Sequence, residues 1–418
     1  MTSVHVAFLE TNRTGSGYEV MRVAKERGYQ VTLVAKDLDF YRQPGQQQIP
    51  MDVFDHVVNC DTDDPEAVAA TLSGLEHRPD ALLSASEFHM LATARTGRLL
   101  KVRGQDPEAV RACRDKSRGR ELSAAAGVPI PRFVLAATPE EAAAADVGFP
   151  CVVKPLDDSG SYGVKLCANA HEVADHAKAL LAWTHNEVGQ PKLPSVLVEE
   201  YLHGREISVE VVVADSRARI VAMTDKVLLD PPIFYEIGHT VPAALDPEAE
   251  AACREVAVQA LEAIGYDFGA AHVELMITGD GPKLIEVNCR LAGDQITRLV
   301  KMATGYDMHA ALLDIHLGAD PGEPPAPQRG AAVVFVASPG GRILSLDGVE
   351  DARSMPYVKE ADKFVEPGAV LPEEAAGYDR LGYTIAVAPD GPAAAAAAKD
   401  AADAIKVGFE PVPGTDLR

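Results

Sequence analysis

The sequence of 418 residues has no C-x-x-C pair, no apolar run long enough to cross a bilayer and no surplus of basic residues. Its six cysteines (Cys60, Cys113, Cys151, Cys167, Cys253, Cys289) are scattered through apolar strand-like or helical stretches. That pattern reads as reduced structural thiols and indicates neither zinc nor disulfides. Lys plus Arg number 39 against 62 Asp plus Glu, a net charge of −23, which disfavours nucleic acid and anionic lipid as partners. The missing apolar run excludes a membrane helix. MTSVHVAFLE lacks the basic start and long apolar core of a secretory signal and reads as an entering β-strand, so the cytoplasm is the expected location. With 47% hydrophobic and 24% charged residues, the chain has the composition of a globular protein of several domains.

The first hundred residues alternate strand and helix signals: VHVAFLE, a helix from Gly17 to Gly28, QVTLVAK, a helix opened by DDPEAV, ALLSAS, then an amphipathic stretch from Phe88. Such alternation predicts a parallel α/β unit. Asp106 caps a helix expected to run unbroken to Gly127, and VPIPRF places a boundary near 105 to 130. From Phe149 the pattern changes to strands joined by Gly turns, with helices at 171–184 and 246–265, an α+β arrangement. GADPGEPPAPQRG is a linker, followed by a smaller strand-rich unit that ends in an Ala-rich helix. The expected units are 1–110, 111–320 (divided into 111–195 and 196–320) and 330–418.

The segment HVELMITGDGPKLIEVNCR carries the most chemistry. A hairpin centred on Asp280 sets Glu274 opposite Glu286, and period-two alternation puts Glu286, Asn288 and Arg290 on one face. Like charges across a ladder are destabilising, so the pattern suits a hard cation, Mg²⁺ being the expected ion. A solvated outer face of a hairpin explains the residues equally well. In VVKPLDDSGSYGVKL a strand bearing Lys154 enters a turn with Ser159, Gly160, Ser161 and Gly163, whose backbone N–H groups are open to a polyphosphate. An ordinary glycine hairpin is the alternative. VLVEEYLHGREI crowds Glu199, Glu200, Leu202 and Glu206 about a turn that could hold a purine and its ribose, or could simply be salt-bridged strand ends.

Two further residues stand out. His239, in EIGHTVPA, has a loop-like setting and could meet a substrate carboxylate or acyl group or take an amine's proton; a hydrogen-bonded loop histidine is the alternative. Glu87 follows a strand at the carboxyl edge of the first unit, where it could hold a substrate ammonium or favour a helix start. The TNRTGSGYEV loop reads as a plain βα turn rather than an anion cradle.

Taken in order, RDKSRGREL, CVVKP…GSYGV, VLVEEYL with its Gly and Glu, DK, HVEL and IEVNCRLAGD resemble the ATP-grasp superfamily over roughly residues 110 to 318. FLETNRTGSGYEV, FYEIGHTVPA and NCRLAGDQI resemble in particular the carboxylate–amine ligases of the L-amino acid ligase, or dipeptide synthetase, type. D-alanine:D-alanine ligase and biotin carboxylase are more distant. The resemblance implies an ATP-grasp fold with an N-terminal parallel α/β domain and a small strand-rich C-terminal domain. It implies that Lys116 and Lys154 touch ATP phosphates, with Lys226 as a further phosphate-side lysine. Glu199, Leu202 and Glu206 would meet adenine and ribose, while Glu200 departs from the usual hinge residue. Glu274, Glu286 and Asn288 would bind Mg²⁺, with Mn²⁺ as a substitute, and Arg290 would steady an acyl phosphate.

The implied reaction activates a carboxylate with ATP and joins it to an amine, releasing ADP and phosphate. Backbone N–H groups near Gly293 would share the oxyanion with Arg290, and the Gly flap would exclude water. Small-molecule acids and amines are the expected partners, and a homodimer the expected assembly. A thiol, carrier-protein-bound or non-proteinogenic acceptor is the alternative within catalysis; an inactive nucleotide-binding regulator is the alternative outside it.

Overall fold

The computed structural model describes residues 3–12, 16–42, 51–229, 234–338, 340–371 and 380–412. Part of the TNRTGSGYEV loop lies outside them. The chain begins with β1 (His5–Leu9), α1 (Ser16–Glu26), β2 (Gln30–Ala35), β3 (His56–Asn59), α2 (Pro65–Ser73), β4 (Ala81–Leu83) and α3 (Met90–Leu100). The strands form a parallel sheet in the order β3-β2-β1-β4. Alternate residues of β1 serve two cores: Val6 and Phe8 pack with Val20, Met21 and Ala24 of α1, while Ala7 and Leu9 pack with Val68 and Leu72 of α2. A sheet covered on both faces is what the near-continuous apolar runs predict.

The helix expected from Asp106 to Gly127 is two helices, α4 (Pro107–Arg114) and α5 (Lys116–Ala125). Asp115 interrupts it: its carboxylate accepts from the N–H groups of Ser117 and Arg118 at 3.1 and 3.3 Å. Aspartate satisfies the free donors of a helix start better than it serves a helix interior, and the break sets Lys116 on the first turn of α5. Next come β5 (Phe133–Ala136), α6 (Pro139–Ala143), β6 (Cys151–Pro155), β7 (Lys165–Cys167), α7 (Ala170–Leu181) and β8 (Val196–Glu200), with the antiparallel order β5-β8-β6-β7.

Then follow β9 (Arg205–Ala214), β10 (Arg217–Leu228), β11 (Glu236–Val241), α8 (Pro247–Ala263), β12 (Gly269–Thr278), β13 (Gly281–Asn288), α9 (Ile296–Thr304) and α10 (Met308–His316). The chain continues through β14 (Gly330–Ala337), β15 (Gly341–Asp347), α11 (Val349–Arg353), β16 (Val358–Lys363), β17 (Val370–Leu371), β18 (Arg380–Ala388), α12 (Gly391–Ala404) and β19 (Lys406–Glu410). One eight-stranded sheet, β13-β12-β9-β10-β11-β14-β18-β16, crosses the expected linker, so strands from both sides of it share a ladder. β17-β15-β19 form a separate small sheet. Ile207, Val209, Val211, Val273, Leu275 and Val287 pack into one core with Val256, Ala257 and Leu261 of α8. By alternation, Glu206, Ser208, Glu210, His272, Glu274, Glu286 and Asn288 occupy the opposite face. Among the described residues no helix is long and apolar enough to cross a membrane.

Candidate active site

The polar face of the large sheet is organised by strand register. Glu274 pairs with Glu286 and His272 with Asn288 across β12 and β13. Nearer the turn the pairing runs Leu275 to Leu284, so a bulge at Ile285 carries the register past a two-residue Gly279–Asp280 turn. Each carboxylate has its own cations. Glu286 lies 2.9 Å from Lys116 Nζ, whereas Glu274 lies 3.3 Å from Lys226 Nζ and 3.2 Å from His272 Nε2. Burial would raise the Glu274 carboxyl, but Lys226 and His272 hold it well below the usual range. Burial would likewise lower His272, yet Glu210 and Glu274 push the imidazole up to about 10. Two carboxylates and an amide oxygen form an oxygen-only donor set on one face, which fits a hard divalent cation.

The expected phosphate-side residues are linked to these carboxylates through a chain of contacts. Lys154 Nζ is 2.5 Å from Glu199, whose other oxygen accepts from Arg120 Nε, and Arg120 Nη2 donates to the carbonyl of Ile285 beside Glu286. The Glu199 side chain, expected at adenine or ribose, is thus bound to two cations and buried. Burial opposes its ionisation, but Arg120 and Lys154 bring the carboxyl down to about 2. Burial outweighs Glu199 at Lys154 and lowers that amine. Lys116 Nζ also donates to the Asp158 carbonyl at 2.7 Å, which anchors the flap's base. Beyond it Gly160, Ser161 and Gly163 have φ of +62°, +58° and +75°, and Ser159 accepts from the Tyr162 N–H at 3.2 Å. The Tyr162 ring stacks on Trp183, centroids 5.0 Å apart.

At the hinge, the N–H of Glu200 donates to the Arg132 carbonyl and its side chain lies near Arg132 and Lys283, leaving it at the surface side of β8; Leu202 is buried. Glu206, expected at ribose, is paired with Lys226. Lys226, expected on the phosphate side, is enclosed by carboxylates: Glu206, Glu236 at 2.9 Å and Glu274. Burial would lower this amine, but the three carboxylates push it well above its ordinary value.

Arg290 and Glu87 meet. The Nε of Arg290 donates to one Glu87 oxygen, and Arg114 Nη1 donates to the other at 2.8 Å. Both oxygens of the residue expected to hold a substrate ammonium are therefore on guanidinium groups. Burial opposes ionisation of Glu87, yet the two arginines bring its carboxyl down to about 2. A cleft lined by Leu82, Met90, Ala94, Ala270 and Leu312 opens beside Arg290, between the parallel sheet's carboxyl edge and α10. Gly293 lies in the connection from β13 to α9, where a Cβ would meet nothing within 4 Å.

His239 corrects the sequence reading. It sits within β11, paired with Lys226 and Val333 in the ladders on either side, and is fully buried rather than in a loop. EIGHTV was not recognised as a strand because Gly and His weaken its alternation. The ring's Nε2 lies 3.4 Å from both Glu236 and Asp294, and Nδ1 has no hydrogen-bond partner among the described residues. Among the described residues, Glu236, His239 and Asp294 offer three ligand atoms within 4.8 Å of one another. Their charge is already matched, however: Arg380 Nη2 is 2.7 Å from Asp294, and Lys226 is on Glu236. Burial would raise the Asp294 carboxyl, but Arg380 and His239 hold it far below its ordinary range. Basic side chains thus pair with both acidic clusters, and Lys226 touches a carboxylate of each.

Sequence reading missed Arg120, Glu210, Glu236, His272, Asp294 and Arg380. For Glu210 a signal existed: Glu206, Ser208 and Glu210 alternate with apolar residues in EISVEVVV, as a strand with one polar face does.

Residues 147–298 match a family model described as an ATP-grasp domain, and residues 334–410 match one described as L-amino acid ligase C-terminal domain 2. An uncharacterized Sinorhizobium fredii protein, y4rH, is 31% identical over 386 residues, covering 91% of this chain and 78% of that one. Carnosine synthase 1 of Gallus gallus is 31% identical over 400 residues, 90% of this chain but 42% of the chicken protein, so the chain spans less than half of that relative. The crystal structure of an L-amino acid ligase from Bacillus licheniformis superposes with a TM-score of 0.82 over 98% of this chain and 100% of that one, at 20% identity.

Proposed function

The chain belongs to the ATP-grasp ligases of the L-amino acid ligase type, and from that premise we propose that it joins the carboxylate of an amino acid or related acid to an amine, with ATP converted to ADP and phosphate. The observation that carries this reading is the register of Glu274 against Glu286, with Lys116 on the second carboxylate and Lys154 one contact chain away.

A carboxylate anion is a poor electrophile, and transfer of a phosphoryl group to it needs positioning and charge compensation more than covalent help. Lys116 and Lys154 bind phosphate oxygens once nucleotide draws them from Glu286 and Glu199. Glu274, Glu286 and Asn288 would hold Mg²⁺, or Mn²⁺ in its place. When bound there, such a cation would supply charge compensation for the phosphates. The backbone from Glu199 to Leu202 meets the purine, and Glu206 reaches ribose by turning from Lys226. Ser159, Gly160, Ser161 and Gly163 cover the phosphates and exclude water.

Arg290, held by Glu87, faces the acyl phosphate and then, with N–H groups near Gly293, the oxyanion that forms as the amine attacks. The amine enters beside His239, where Glu236 and Asp294 attract its cationic form. His239 Nε2, facing both carboxylates, donates to them and holds them towards the amine. We assign 1–110 as the N-terminal domain, 111–320 as the ATP-grasp domain (lid 111–195, catalytic part 196–320) and 330–418 as the C-terminal domain. The test is a screen of paired amino acids that measures ADP and phosphate release together with product mass. ADP, phosphate and an amide product are expected; AMP and pyrophosphate would overturn the acyl phosphate route.

A further inference from the structure

Glu210 is a carboxylate with no exposed surface, in the middle strands of the largest sheet. A buried carboxylate costs several kcal/mol unless it is fully paired, and the strand's other face shows that Val209 and Val211 pack well enough without one. Its pairing is complete. Glu210 accepts from Ser208 Oγ at 2.7 Å, from Thr224 Oγ1 at 3.2 Å and from His272 Nδ1 at 3.0 and 3.1 Å. Register makes the last contact unavoidable, because β9 and β12 set Glu210 directly against His272 and Ser208 against Glu274. The other ring nitrogen of His272 faces Glu274 Oε1 at 3.2 Å.

Each ring nitrogen thus faces a carboxylate oxygen, Nδ1 that of Glu210 and Nε2 that of Glu274, and the ring bridges the two acids. Glu274 is held by one donor on each oxygen: His272 on Oε1 and Lys226 on Oε2. Glu286 and Asn288 stand across the ladder on the neighbouring strand β13, opposite Glu274 and His272.

We propose that Glu210 and His272 are positioning residues that fix the carboxylate of Glu274 in the orientation in which it receives the divalent cation. The inference rests on the reading of Glu274 as a metal ligand. Hydrogen-bonded partners behind a metal ligand are typically worth about 10- to 100-fold in metal affinity.

The test is Mn²⁺ affinity in the presence of a non-hydrolysable ATP analogue, read from the electron paramagnetic resonance amplitude of free Mn²⁺. The amide nitrogen of glutamine reaches about where Nε2 lies, and that of asparagine about where Nδ1 lies. His272→Gln keeps a donor on Glu274 and is expected to stay within about 3-fold of the parent, whereas His272→Asn keeps the Glu210 contact, loses Glu274 and weakens Mn²⁺ by about 10-fold or more. A residue that only fills the core would not separate the two variants in this order. Equal affinities in parent, Gln and Asn variants overturn the proposal. Glu274→Gln is the control: if it leaves Mn²⁺ affinity intact, the metal reading itself fails, and if it abolishes binding while His272→Asn does not, only the positioning role fails. Should His272→Asn not fold, Glu210→Gln carries the test, with several-fold weaker Mn²⁺ expected and unchanged affinity overturning it.

Discussion

The carboxylate of Glu87 accepts a hydrogen bond from Nε of Arg290, a residue 203 positions further along the chain, and its second oxygen is taken by Arg114. This contact ties the carboxyl edge of the first parallel sheet to the segment that follows β13, the strand of Glu286 and Asn288. It also makes two expected site residues one unit, with Glu87 acting through Arg290.

The Glu87 clamp predicts acid sensitivity. Its folded carboxyl, near 2, lies below its ordinary 4.5, so its contribution is present above pH 4.5 and is lost as pH falls towards 2. The size is roughly 3 kcal/mol. Melting temperature measured from pH 6 to 2.5 should fall below pH 4.5, and Glu87→Gln should flatten part of that fall. An identical slope in the variant would refute the assignment.

The flap has a built-in reporter, because Trp183 is the chain's single tryptophan and Tyr162 of the flap stacks on it. ATP is expected to change its fluorescence, and Tyr162→Ala to remove most of that change. A Cβ on Gly163 would stand 2.9 Å from the Trp183 ring at a φ of +75°, so Gly163→Ala should raise KM for ATP several-fold.

Removal of divalent ions by a chelator should abolish phosphate release, and Mg²⁺ or Mn²⁺ should restore it. Glu286→Gln removes the charge opposite Glu274 and is expected to lower kcat/KM by about 100-fold, close to 3 kcal/mol of barrier. Retained turnover would contradict the metal assignment.

Asp294→Asn removes one of the two negative charges proposed to attract the amine and leaves Arg380 without its 2.7 Å carboxylate partner. The amine side of the reaction should suffer: KM for the acceptor is expected to rise about 10-fold or more, with KM for ATP and for the acid within about 2-fold. Steady-state kinetics with each substrate varied in turn separates these outcomes.

What was legible in the sequence follows from distance along the chain. The opposition of Glu274 and Glu286 needs only one turn and a count, both local, and the count survived because the bulge at Ile285 compensates the turn's true length. The capping that splits α4 from α5 was also local, since Asp115 precedes Ser117 by two residues, but helical propensity on either side concealed it. The contacts of His272 with Glu210, His239 with Asp294 and Arg380 with Asp294 span 62, 55 and 86 residues. Each depends on which strand lies beside which, and that order is a property of the packed sheet. Lys226 shows the same limit: its residue type suggested an anion, and the fold supplied three side-chain carboxylates.

The ladder between β11 and β14 joins residues 238–241 to 331–334 in one sheet. A protein cut in the 319–329 stretch would leave β11 with an unsatisfied row of peptide groups and a naked flank on the strand that carries His239, inviting self-association. Exchange of the segment after residue 329 as a cassette between relatives would therefore have to preserve that seam.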